Sequence, residues 1–285
     1  MANKLGVRQE AETVIPVNDI DGNEAFDILL NSSNSVDIFA ASNQQGEVLM
    51  TNDQSLSVGF VGPFEDGDVE NIVFAPTIGL VAENDVSISS TTGSLQIVND
   101  IVASESLLLQ SANAISIGGV LNATSVRIVG SGDIFQLSNG SVDAVTLGVR
   151  QQGLTVSDET DLDDNGRLDV ILDGENNTNE LAIGNIADGG AIAFNNLDEF
   201  TIGIVPDAAT DNSVFVETAG ISTSLANQGN LGASDLDTGD ILLQAVGGIR
   251  IEAAIIAGDN PDTIDVEENA DLRLVLGGSL SLIHI

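Results

Sequence analysis

The stretch Asp161-Leu-Asp163-Asp-Asn165-Gly-Arg167-Leu-Asp169 places carboxylate or amide oxygens at positions 1, 3, 5 and 9, with glycine at position 6. Oxygens at that spacing can wrap a hard cation at about 2.3–2.6 Å, with the backbone carbonyl of Arg167 at position 7, and calcium is the ion such a set suits. Two features depart from an EF-hand. Position 12 is Leu172 rather than a bidentate Glu, and the segment runs into a strand pattern rather than a helix. A weaker, repeat-equivalent set is Asp19, Asp21, Asn23 and Asp27, where Glu24 stands in the place of Gly166 and makes the tight turn less comfortable. The plainer reading of both loops is a solvated acidic turn.

Other chemistry is poorly supplied. Cys, Trp and Tyr are each 0 and the only histidine is His284, so nucleophilic and acid–base options reduce to carboxylates. A carboxylate-based carbohydrate-active enzyme, lyase-like or glycosidase-like, needs grouped Asp with a nearby base. The basic residues are Lys4, Arg8, Arg127, Arg150, Arg167, Arg250 and Arg273, scattered along the chain, and no catalytic residue is expected. Seven basic against 44 acidic residues give a net charge of −37, which repels phosphate backbones and anionic lipid heads. Neither a nucleic-acid partner nor membrane insertion is expected, since no apolar run approaches the ~18 residues of a span.

The elements that would hold these loops come from repetition. Leu5-Gly-Val-Arg-Gln9 recurs as Leu147-Gly-Val-Arg-Gln151, and DIDGNEAFDILL (19–30) lies over DLDDNGRLDVIL (161–172) at the same offset of 142. Further on, 58–61 meets 202–205 and 93–104 meets 247–258. The chain therefore reads as a first module, 1–146, and a truncated second copy, 147–279. The last six residues, LSLIHI (280–285), read as the translation of a transposon end used in DNA sequencing; a final strand is the other reading.

A shorter period of about 20 runs inside the module. Val86-Ser-Ile88, Leu107-Leu-Leu109 and Val126-Arg-Ile128 interleave with Leu95-Gln-Ile97, Ile115-Ser-Ile117 and Ile134–Leu137. Each is short, alternating and bounded by Gly, Asn, Asp or Ser, as half-buried strands are. One such coil cannot bury its apolar face alone, so coils stack with strands in parallel at about 4.8 Å. The expectation is an all-β fold, a parallel β-helix or β-solenoid of about 20 residues per coil, less regular at 5–80 and 147–216. If all 285 residues coiled this way, about 14 coils would make a rod of roughly 70 Å; the period itself supports a rod only over about 84–140 and 238–279. Val86, Ile88, Leu95, Ile97, Leu107, Leu109, Ile115, Ile117, Val126 and Ile128 should face inward, and Ser87, Gln96, Ser116 and Arg127 outward.

The segment Asp240-Ile-Leu-Leu-Gln-Ala-Val-Gly-Gly-Ile-Arg-Ile-Glu-Ala-Ala-Ile255, with weaker copies at 85–102 and 106–121, resembles the repeats of filamentous haemagglutinin-like exoproteins and other giant repeat-rich bacterial surface proteins. The resemblance covers roughly a third of the chain. It implies a right-handed parallel β-helix, an extracellular or cell-surface location, and a role in adhesion, aggregation or as a stalk. The expected partners are more copies of the same module in the full-length protein and an unidentified host, cell-surface or glycan receptor. Another reading makes residues 5–80 a calcium-stabilised β-sandwich module.

Overall fold

The computed structural model describes residues 3–10, 26–65, 73–163, 166–187, 190–211, 213–223, 240–256, 272–277 and 280–282. Among them every regular element is a strand, and 23 strands join one large, parallel-paired sheet. The register repeats one lesson. Val48 pairs with Val86, Val86 with Leu107, Leu107 with Val126, Val126 with Leu147 and Leu147 with Leu181. Two residues on, Met50, Ile88, Leu109, Ile128, Val149 and Ile183 form a second stack in the same pairings. All twelve side chains are buried and belong to one apolar cluster running through the sheet. Burying each such side chain is worth about 1.5–3 kcal/mol relative to leaving it exposed, so the ladder is the main source of stability.

The ten residues expected to face inward are all buried. Strands between residues 28 and 58 join the same sheet by parallel pairing, as do residues 181–185 and 192–196. Leu280–Leu282 pairs in parallel with Ile249–Ile251.

The weak periodicity at 5–80 and 147–216 has a specific cause. Residues 57–58 and 80–82 lie side by side on Ile38–Asn43, as one interrupted strand. Between them the chain leaves the sheet as a hairpin in which Phe60–Val61 pairs with Thr77–Ile78 and Phe64–Glu65 with Val73–Phe74, antiparallel. The second copy repeats this: residues 201–202 and 221–223 lie on 180–185, and a hairpin pairs Ile204–Val205 with Thr218–Ala219 and Ala208–Ala209 with Val214–Phe215. Both hairpins close at the base through a glycine pair. Gly79 N–H donates to the Gly59 carbonyl at 2.9 Å, and Gly220 N–H to the Gly203 carbonyl at 2.8 Å. Gly79 and Gly220 have φ of +63° and +70°, a region that disfavours a side chain, and a Cβ on either would strike the backbone of the neighbouring strand.

Two of the four outward assignments need correction. Gln96 is exposed and Ser116 half-buried, but Ser87 and Arg127 are buried. The 204–219 hairpin folds back across the outer face of the sheet and covers them. Thr210 and Ser87 hydroxyls meet at 2.9 Å, and the Gln110 side-chain carbonyl accepts from Val214 N–H at 3.0 Å. Phe215, fully buried, sits in a second apolar cluster with Leu108, Val129, Ala182 and Val205. Arg127 donates from Nε to the Pro206 carbonyl at 3.2 Å and holds its guanidinium 5.9 Å from the Phe215 ring centre, a cation–π contact.

Candidate metal centre

The acidic loop after residue 151 is organised around a residue that lies outside it. Asp133, 1% exposed, precedes the Ile134–Gln136 strand, and its two carboxylate oxygens accept from Leu162 N–H and Asp169 N–H, each at 2.6 Å. The loop is further fixed to this corner by Asp133 N–H, which donates to the Thr160 carbonyl at 2.7 Å. Asp161, buried, accepts from Gly166 N–H at 2.8 Å, and Gly166 has φ of +82°. Position 6 of the loop therefore needs its glycine for conformation, as the spacing predicts.

Asp133, Asp161 and exposed Asp163 each bring one carboxylate oxygen to within 4.8 Å of the others. Three carboxylates so placed could hold a metal ion, since the gaps suit oxygens that share one cation at about 2.3–2.6 Å. Burial pushes the Asp133 carboxyl up to about 6, against the two backbone donors that lower it, while neighbouring Asp169 and Asp163 raise it further.

The remaining expected ligands fall as follows. Asp169 is buried and its carboxylate accepts from Ala191 N–H at 2.6 Å, tying the loop to the next turn of chain, and it is not in the three-carboxylate group. Arg167 is half-buried. Asn165 lies outside the described residues, as do Asp19, Asp21 and Asn23 of the first copy. Asp27 accepts from Glu47 N–H at 2.9 Å, the bond that Asp169 makes in the second copy. Asp133 escapes a search by loop spacing because it sits 28 residues before Asp161. Its one local mark is a Gly-Asp pair just before an apolar strand.

Three pairs of asparagines were also missed, and their signal was the repeat itself. Asn43 Nδ2 donates to the carbonyls of Phe26 and Glu47 while its Oδ1 accepts from Gln45 N–H. Asn185 makes the same set with Leu168, Ala191 and Ala187. Asn52 and Asn196 likewise bridge to Val36 and Gln54, and to Thr178 and Asp198. Asn34 and Asn176 donate to Leu30 and Thr51, and to Leu172 and Asn195. These side chains satisfy backbone groups at the corners between strands.

A shallow cleft of about 480 Å³ lies elsewhere, lined by Asp198, Glu199, Phe200, Thr201, Arg250 and neighbours. Both acids are exposed, and the Arg250 Nε is 2.7 Å from Glu252. No helix among the described residues is long and apolar enough to cross a membrane. Compared with protein-family models, curated proteins and solved structures, the chain matches none.

Proposed function

We propose that this chain is a structural segment, a stalk or filament piece, of a large secreted or cell-surface bacterial protein. Its fold in this reading is a right-handed β-solenoid of about 20 residues per coil, built from tandem modules at 1–146 and 147–279. The observation that supports it is the unbroken stack of aliphatic side chains through consecutive parallel pairings, together with hairpins and corner asparagines that recur at repeat-equivalent positions. Among the described residues, nine rungs from residues 28 to 256 stack in one line, about 40 Å at ~4.8 Å per step.

Calcium at Asp133, Asp161 and Asp163 would lock the 152–169 loop onto the body of the stack and neutralise part of a dense negative surface. The remaining acidic residues keep an edge-rich β protein soluble and oppose edge-to-edge pairing. The test of location is antibody labelling of intact cells that make the protein. Labelling without permeabilisation supports the stalk reading; labelling only after permeabilisation removes it.

A second reading, a carbohydrate-active β-helix, is favoured only by the cleft with Asp198, Glu199 and Arg250. It predicts new reducing ends when the protein is incubated with a panel of acidic and neutral polysaccharides, lost in Glu199→Gln. No release from any of them sets it aside.

A further inference from the structure

A second cleft, of about 460 Å³, opens on the outside of the stack. It lies at the bend between strands Ile101–Ala103 and Ser106–Ser111, both of which pair with Val120–Gly130. Its floor is the buried alanines Ala103, Ala123 and Ala144, whose side chains are too short to fill the bend. Along it runs an exposed row, Val102, Asn122, Asp143 and Asn177, each paired with the next. Asn122 Nδ2 donates to one carboxylate oxygen of Asp143 at 3.3 Å, and Asn177 Nδ2 to the other at 3.1 Å. The carboxylate thereby fixes both amides, whose side-chain carbonyls have no partner among the described residues. A second exposed row, Ser104, Thr124, Val145 and Asn179, forms the other wall.

Asn179 also lines the 480 Å³ cleft of Asp198, Glu199 and Arg250, so the two clefts run into one trough. The rungs behind it pair in the order 102–122–143–177 and then 180–201–250, five steps that span about 24 Å at ~4.8 Å each. A length of several rungs suits an extended polymer. Residues 121–122 and 143–144 are already paired on both sides, so a peptide cannot add itself there as a further strand. The net charge of −37 turns away nucleic acids and acidic polysaccharides. Arg250, the one basic group in the lining, is held by Glu252 at 2.7 Å. What remains on offer is amides, carboxylates and the Ser104 hydroxyl, set beside the exposed apolar surface of Val102 and Val145. Sugar rings match that mixture, with hydroxyls that both donate and accept and C–H faces that rest on apolar side chains.

We infer that the trough binds a neutral linear polysaccharide lying along the stack, with Asp143 as the central acceptor between the amides of Asn122 and Asn177. Side chains already ordered by one another lose little freedom on binding, which favours a site made of exposed groups. Such binding would give the proposed stalk a surface to hold, and in that respect it rests on the stalk reading above.

Affinity electrophoresis of the full chain tests this, in native gels carrying dextran, mannan, laminarin or hydroxyethylcellulose, with polygalacturonate as the acidic comparison. At least one neutral polymer should retard the wild type, and polygalacturonate should not. Asp143→Ala should weaken that binding about tenfold, the effect of removing a charged hydrogen-bond partner. Val145→Asp, which places a charge in the trough, should abolish it. Both positions are exposed, so melting midpoints should stay near that of wild type, and if one variant fails to fold the other decides. Retardation by none of the neutral polymers overturns the inference, as does retardation that a folded variant keeps or that polygalacturonate equals. New reducing ends in the same mixtures would overturn a role in binding alone and pass the trough to the carbohydrate-active reading. Surface labelling of cells without retardation removes the trough and leaves the stalk; retardation of a chain that antibodies never reach on intact cells does the reverse.

Discussion

At the scale of single residues, Asp133 decides the behaviour of the acidic corner. Its folded carboxyl is raised to about 6, above the ordinary value of 3.8, so the folded state holds that proton more tightly than the unfolded chain does. The stability this brings is complete below pH 3.8 and is lost as pH rises through 6. Asp133→Asn should therefore flatten the fall in melting midpoint that wild type shows between pH 4 and 7, relative to a parallel wild-type series. A bound divalent cation acts in the opposite sense, favouring the ionised carboxylate. Millimolar calcium should raise the wild-type midpoint at pH 7 by several degrees, raise it less at pH 5, and leave Asp133→Asn nearly unmoved. An unchanged wild-type midpoint with calcium and with chelator would remove the metal reading. The buried asparagines carry a different cost. Asn185→Ala strands the Leu168 carbonyl and Ala187 N–H, and should lower stability by about 1–3 kcal/mol for each group left unpaired, read from denaturant midpoints. Sequence spacing singled out Asp161 and Asp163 because they are close along the chain. Asp133 and the asparagines act across it, and only the register of the ladder brings them to their partners.

Among elements, the strands were readable from alternation and the hairpins were not. Strict periodicity marks Val86–Ser90 or Ile115–Ile117 because both their faces are set by position in the sheet. The hairpins consist of two-residue strands whose apolar residues answer to a different surface. The motif Leu-Gly-Val-Arg-Gln was visible as a repeat, but the reason for its glycine lies 67 or 68 residues further on, in Phe215 or Phe74. Gly148→Val should displace Phe215 at a cost of about 1–3 kcal/mol. In hydrogen exchange, protection should fall across 204–219, while residues 126–130 and 181–185 stay protected. Loss of protection throughout would mean that the glycine supports the ladder rather than the hairpin. The same covering explains why alternation misplaced Ser87 and Arg127: an outward side chain is exposed only where nothing folds back over it.

For the molecule as a whole, each rung touches mainly its neighbours, so stability should be a sum along one axis. Leu109→Ala, in the middle of a stack, should cost about 2–5 kcal/mol by urea unfolding. The general architecture was legible because a parallel stack imposes its period on the sequence, and the period weakens at 5–80 and 147–216 because the hairpins there consume residues without adding rungs.

Those excursions leave and return at almost one point. With Gly59 and Gly79 joined by a hydrogen bond across the base of the first hairpin, residues 57–58 and 80–82 keep their places on Ile38–Asn43 whatever is strung between the glycines. The position behaves as a socket. A segment of another length or composition can be inserted or removed there at the modest entropic cost of closing a loop, without disturbing the register that holds the protein together, and descendants of the module are free to differ at this point in what they display.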